Sequence, residues 1–178
     1  MTTLVLALGA LVVAASAAAP SSAPPASAPA LEALRRAAGG VAGWAEQKDS
    51  YRPFTPRELY GIIDGGAVVY EQQGLVRGVA VSLGNGSRSL DLFVDEFDTA
   101  AHASGMVTIK EKASAAPQPL AAVAPRRAVY DEVLGGCAVY WATGRHYIEM
   151  IFTGYESTEA ARRDAALFVD AMARASGG

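Results

Sequence analysis

Residues 76–97 read VRGVAVSLGNGSRSLDLFVDEF, two runs in which apolar residues alternate with polar or small ones around Asn85-Gly86. Alternation at period two puts every second side chain on one face of a strand. Asn-Gly between two such runs predicts a β-hairpin. With Asn85-Gly86 as a two-residue loop, Val81 faces Leu90 and Val79 faces Leu92. One face then carries Val79, Val81, Leu83, Leu90, Leu92 and Val94, and the other carries Gly78, Ala80, Ser82, Ser89, Asp91, Phe93 and Asp95. The first is the core face, since a slip of one residue would turn all its apolar side chains outward.

The pattern returns near the C-terminus. Residues 137–142 and 145–153 flank Thr143-Gly144 and predict a second hairpin. Pairing Trp141 with His146 collects Cys137, Val139, Trp141, His146, Ile148, Met150 and Phe152 on a core face, with Ala138, Tyr140, Ala142, Arg145, Tyr147, Glu149 and Ile151 opposite. Each hairpin runs into an alanine-rich helix. Phe97-Asp98-Thr99-Ala100-Ala101 leads into one capped by Asp98, and Tyr155-Glu156-Ser157 leads into one capped by Ser157 with a buried stripe of Ala161, Ala165, Phe168 and Met172. Earlier in the chain, Thr55-Pro56-Arg57-Glu58 combines an N-cap, a proline at the first helical position and a capping box. It predicts a helix that continues to Gly74, and a short helix is also expected over residues 31–38. The fold class is α+β, with an antiparallel sheet built from two β-hairpins, each followed by a helix, plus a preceding helix. The hairpin-helix units read as an internal repeat.

Charge is distributed unevenly along the 178 residues. There are 15 Lys and Arg against 18 Asp and Glu, for a net charge of -3, and residues 1–30 contain no charged residue or histidine. Residues 4–15 (LVLALGALVVAA) are apolar and lead into Ala15-Ser16-Ala17, so residues 1–17 read as a signal peptide. The stretch is shorter than the ~20 apolar residues of a spanning helix. Its leading residues lack Lys and Arg, so either the α-amino group serves alone or the true start lies upstream of Met1, and membrane tethering through an uncleaved signal is the alternative to cleavage. Residues 18–30 form a Pro/Ala/Ser linker, and residues 31–178 form a single α+β domain. The expected location is exported, periplasmic or secreted, with no stable membrane span after cleavage. The charge balance argues against a nucleic-acid partner.

Few residues converge on chemistry. Cys137 and His146 lie four residues apart along the predicted strand, roughly 13 Å, too far for a thiol–imidazole pair. His102 is the only other histidine, so neither a metal nor a cofactor site is read. Asp95-Glu96 and Asp98 read as a solvated acidic rim with a helix cap. Asp64-Gly65-Gly66 lacks any phosphate-loop frame, and its glycines read as close helix packing. What remains is the second sheet face, where Asp91, Phe93, Tyr140, Arg145, Tyr147 and Glu149 mix aromatic anchors with charge. The expectation is a non-enzymatic binding or accessory module that takes a protein or small-molecule partner on this face, provided no helix covers it. The alternatives are a cell-envelope hydrolase using Asp64, Glu71 or Glu149 as acid and base, and a structural or oligomerisation domain.

Residues 59–70, LYGIIDGGAVVY, followed by Gly74, resemble the signature of an uncharacterised family of exported bacterial proteins, Leu-Tyr/Trp-x-x-Ile-Asn-Gly-Ala-Ala-Glu-x-Tyr. Ala103-Ser104-Gly105-Met106 and residues 140–147, YWATGRHY, are similar to that family's helix and hairpin motifs. The resemblance marks Asp64, Gly65, Gly66 and Tyr70 as motif positions and implies export and an α+β domain of unknown function. The chain departs from the signature at Asp64, Gly66 and Val68, where the family has Asn, Ala and Glu. No activity is carried across.

Overall fold

In the computed structural model the two alternating segments pair as antiparallel strands, but each turns one residue later than its sequence predicts. The structure describes residues 28–63, 65–120, 129–133 and 135–177. The predicted signal peptide, most of the linker, and Asp64 lie outside these residues. Strands β3 (Leu75–Asn85) and β4 (Arg88–Phe97) join through Gly86-Ser87, while β7 (Gly136–Thr143) and β8 (His146–Thr153) join through Gly144-Arg145. Gly86 and Gly144 have φ of 62° and 55°, and neither residue after them is left-handed. A turn with positive φ at its first central residue alone is of the II′ kind, which selects Gly there and leaves Asn85 and Thr143 in the ladder. The correction therefore pairs Val81 with Leu92 and Trp141 with Ile148. Each partner moves by two residues, so both predicted core faces survive.

The sheet is larger than two hairpins. Among the described residues it has eight strands in the order β1-β3-β4-β8-β7-β6-β5, with β1 (Ala45–Glu46), β5 (Gln118–Pro119) and β6 (Val129–Val133), and β2 (Arg52–Phe54) also pairs with β3. Every pairing is antiparallel. These added strands are short or lie between low-complexity segments, where two to five residues give little periodicity to read.

Helices cover both faces. On one, α1 (Ala28–Gly39) and α5 (Thr158–Ala175) close over Val79, Val81, Leu83, Leu90, Leu92, Val94, Trp141, Ile148 and Phe152. Ala161, Ala165, Phe168 and Met172 are buried as predicted, and the Ser157 hydroxyl accepts from the Ala160 N–H. On the other face, α2 (Pro56–Leu59), α3 (Ala67–Gln72) and α4 (Ala100–Ala113) close over Ala80, Phe97, Ala138, Tyr140 and Tyr147. Helices α4 and α5 thus sit on opposite faces, so the repeated element order does not extend to a repeated arrangement.

The predicted helix from residue 55 to Gly74 is two helices. Glu58 accepts from the Thr55 N–H at 2.8 Å, its half of the predicted capping box, and also from the Thr55 hydroxyl at 2.8 Å. The chain then leaves the helix after Leu59 and re-enters it at Ala67. Gly65, with φ 67°, interrupts the helical path instead of providing close helix packing. Helix α4 is capped by Thr99, which accepts from the His102 N–H, and not by Asp98. Asp98 instead meets the His102 ring nitrogen at 2.6 Å.

Cys137 is fully buried in the first core, and burial pushes its thiol up to about 12. His146 pairs with Thr143, six residues along β7 from Cys137, a separation of roughly 20 Å. Among the described residues no group of three or more His, Cys, Asp or Glu is arranged to hold a metal.

Candidate functional site

Of the predicted solvated acidic rim, only Asp98 is exposed. Alternation along β4 sends Asp95 and Glu96 to opposite faces, and both are buried. Glu96 bridges the guanidinium groups of Arg77, at 2.8 Å, and Arg145. Arg145 therefore belongs to the hairpin turn beside Glu96, not to the recognition face expected for it.

Asp95 enters the second face, and the groups around it converge from three elements. Glu149 on β8 lies diagonally across from it, since Asp95 pairs with Tyr147 and Phe93 pairs with Glu149. The Tyr70 hydroxyl from α3 and the Tyr147 hydroxyl donate to Glu149 at 2.7 and 3.1 Å. Lys110 from α4 donates to the other Glu149 oxygen at 3.0 Å, and its ammonium lies 5.6 Å and 5.5 Å from the ring centroids of Tyr70 and Tyr140. Tyr70, Phe97 and Tyr147 form an aromatic cluster with centroids 6.1 to 6.5 Å apart, which fixes the two donating rings.

Asp95 differs from Glu149 in having no such partners. It is 1% exposed, and its Oδ1 makes no hydrogen bond. Burial first, then the neighbouring Glu149, pushes its carboxyl well above the usual range, with Lys110 opposing. Gly78 stands opposite it on β3, where a Cβ would come within 2.4 Å of that oxygen. Burial and Glu149 likewise push the Tyr70 and Tyr147 hydroxyls up, and Tyr140 is pushed up to about 12 for the same reasons.

These groups form one wall of a cavity of about 220 Å³ lined by Leu59, Ile63, Gly66, Tyr70, Phe93, Asp95, Lys110, Glu149 and Ile151. Phe93 and Ile151 also line an adjoining cavity of about 350 Å³ with Ser50, Arg52, Ser82 and Asp91. The site is thus amphipathic: an apolar floor and lid, a satisfied Lys110–Glu149 pair, and one unpartnered carboxyl.

The expected site residues distribute as follows. Phe93, Glu149, Gly66 and Tyr70 meet in the smaller cavity, and exposed Asp91 lies in the larger one, where it accepts from the Ser82 hydroxyl at 2.6 Å. Tyr140 and Tyr147 are buried beneath α3 and α4 and present no surface to a partner. Gly65 is exposed, and Asp64 lies outside the described residues. Glu71 is exposed on α3, held by the Tyr60 hydroxyl at 2.7 Å, so it is not paired with Glu149 in the cavity. Sequence reasoning missed Asp95 and Lys110. Lys110 follows the buried Ala103, Met106 and Val107 at helical spacing, a signal that places it on the covered face.

A held proton on Asp95 has a thermodynamic consequence. The folded carboxyl binds its proton more tightly than the unfolded one, so its contribution to stability is complete in acid and declines as pH rises above about 4. Asp95→Asn is expected to remove that decline and to be the more stable of the two proteins at neutral pH. Urea denaturation of both proteins across this range checks it, and parallel stability curves would refute it.

The geometry defines a class: an α+β domain with an open antiparallel sheet, helices on both faces, and an amphipathic cavity between the second face and its helices. No protein-family model and no curated protein sequence matches the chain. Among solved structures, the fold is similar to the extracellular domain of PknH from Mycobacterium tuberculosis, with a TM-score of 0.51 and 16% identity over 81% of this chain and 95% of that one. An uncharacterised protein of Mycobacterium smegmatis, the Rv0999 ortholog, aligns over 80% of this chain and 96% of that one at 10% identity, with a TM-score of 0.36. At 16% identity the likeness to the PknH domain is one of fold. No helix among the described residues is long and apolar enough to cross a membrane.

Proposed function

We propose that this is an exported ligand-binding module that takes a small molecule into the cavity beside Asp95. The observation that carries it is a buried carboxyl, Asp95, whose side chain lines a 220 Å³ cavity while its Oδ1, closed off against Gly78, makes no hydrogen bond. Buried polar atoms are nearly always hydrogen-bonded, and an exception in a concave, mostly apolar site is accounted for by a ligand that supplies the bond. Export is supported by the signal-like residues 1–17 and by the fold likeness to an extracellular domain. The resemblance of residues 59–70 to an exported bacterial family points the same way.

The reading differs from binding on an open aromatic face, because the chain's own helices cover Tyr140 and Tyr147. That cover also removes the surface a self-associating module would use there. Hydrolysis with Glu149 as acid or base is less well supported, since three donors already hold its carboxylate. Titration with a small-fragment library, mapped by amide chemical shifts, is expected to converge on Phe93, Asp95, Glu149 and Ile151. Ile151→Trp puts a larger ring into the lining that the two cavities share and is expected to abolish those shifts. Perturbations that scatter over the convex surface, or persist unchanged in Ile151→Trp, overturn the proposal.

A further inference from the structure

We infer that the ligand is a small amine, with its ammonium seated against Asp95 and Glu149 and its apolar body lying on Phe93 and Ile151; this rests on the ligand-binding reading above. Charge count and hydrogen-bond supply both lead there. Among the described residues the cavity wall holds two carboxyl groups, Asp95 and Glu149, and one cation, Lys110. Lys110 is committed to Glu149, and both neighbouring tyrosine hydroxyls donate to the same carboxylate. Asp95 Oδ1 is closed off against Gly78 with no donor on it, so a partner for the charged carboxyl has to come from the cavity that the side chain lines.

A charged donor fits better than a neutral one. With both carboxyls ionised, the wall carries one negative charge more than it can neutralise, and a monocation restores the balance. The groups facing Asp95 are Tyr147 and Glu149 on β8, Tyr70 on α3 and Lys110 on α4. As the ammonium docks, Asp95 releases its proton to solvent and becomes the counter-ion. An anionic ligand would instead meet two carboxyls and a lysine already paired. The remaining lining, Leu59, Ile63, Phe93 and Ile151, is apolar and suits a hydrocarbon or aromatic body with the size of a single ring.

The test compares benzylamine, benzyl alcohol, benzoate and toluene, which share one body and differ in the polar head. Each is titrated into the full chain and followed by the amide signals of Phe93 and Ile151 and the methyl signals of Ile151. Benzylamine is expected to bind at least about ten-fold more tightly than benzyl alcohol, as a charge-assisted hydrogen bond to a buried carboxylate requires. Asp95→Asn is expected to erase that preference. If benzyl alcohol or benzoate binds as tightly as benzylamine, or if Asp95→Asn keeps the preference, the amine assignment fails and the ligand-binding reading stands. If none of the four perturbs the cavity signals, both fail. Should Asp95→Asn not fold, the comparison of the four compounds on the natural chain decides alone.

Discussion

Replacing Glu149 by alanine is expected to lower stability by about 3–5 kcal/mol, the range measured when one partner of a buried ion pair is removed. The loss has identifiable parts. Tyr147 is 0% exposed, so its hydroxyl has no route to water once the acceptor is gone, a cost of about 1–3 kcal/mol for one buried donor. Tyr70 loses a 2.7 Å bond in the same way. Lys110 loses its partner but keeps a 27% exposed side chain, so it escapes part of the penalty by turning outward. Glu149→Leu combined with Lys110→Met removes both charges and is expected to cost less than Glu149→Ala alone, because apolar replacement of a whole pair is often near neutral. Urea denaturation of the three variants reads the ordering. A Glu149→Ala protein within about 0.5 kcal/mol of the parent, the range typical of surface changes, would show that the network contributes nothing.

Gly136→Ala is the second large effect, and it acts on the sheet and not on the cavity. A Cβ at this position, the first residue of β7, would lie 1.7 Å from the Phe152 carbonyl oxygen and 2.7 Å from its carbon. Both atoms are backbone of the neighbouring strand, so no side-chain rotation relieves the overlap. Relief requires β7 and β8 to separate where Cys137 pairs with Phe152, breaking ladder bonds and opening the core where Phe152 packs on Trp44 and Phe168. A loss of about 3 kcal/mol or more is expected, at the upper end of overpacking changes. Thermal unfolding checks it, and hydrogen exchange should show lost protection confined at first to the start of β7 and the end of β8. An unchanged midpoint would mean that the two strands approach less closely than described.

Much of the fold was legible because it is carried by local periodicity. The alternation in β3, β4, β7 and β8 identified the core faces even though both turns were placed one residue early. An error of one residue in the turn moves the cross-strand partner by two, which is invisible to a period of two. The choice between Asn85-Gly86 and Gly86-Ser87 as the central pair depends on backbone twist, and composition alone does not resolve it. The break in the helix after Leu59 escaped notice for a related reason. Leu59, Ile62, Ile63, Gly66 and Tyr70 keep helical spacing, so the apolar pattern bridges an interruption that Gly65 introduces in the backbone.

The cavity was legible only in pieces. Glu149, Phe93 and Tyr70 were singled out, and alternation put Asp95 on their face, yet its neighbours in sequence, Glu96 and Asp98, made it look like part of a wet acidic edge. Asp95 and Glu96 are buried on opposite sides of the sheet, and only Asp98 is exposed. By itself the sequence determined which side chains share a face and which residues cap α2 and α5. These follow from the pleat, the helical repeat and hydrogen bonds spanning at most four residues. Tertiary structure decided that α4 and α5 lie on opposite faces, that α3 and α4 cover the tyrosines, and that Asp95 faces Lys110 and Glu149 without a donor of its own. Burial and the proton affinity it sets arise from elements far apart in the chain, as with Tyr70 and Glu149 across 79 positions, and no local pattern records them.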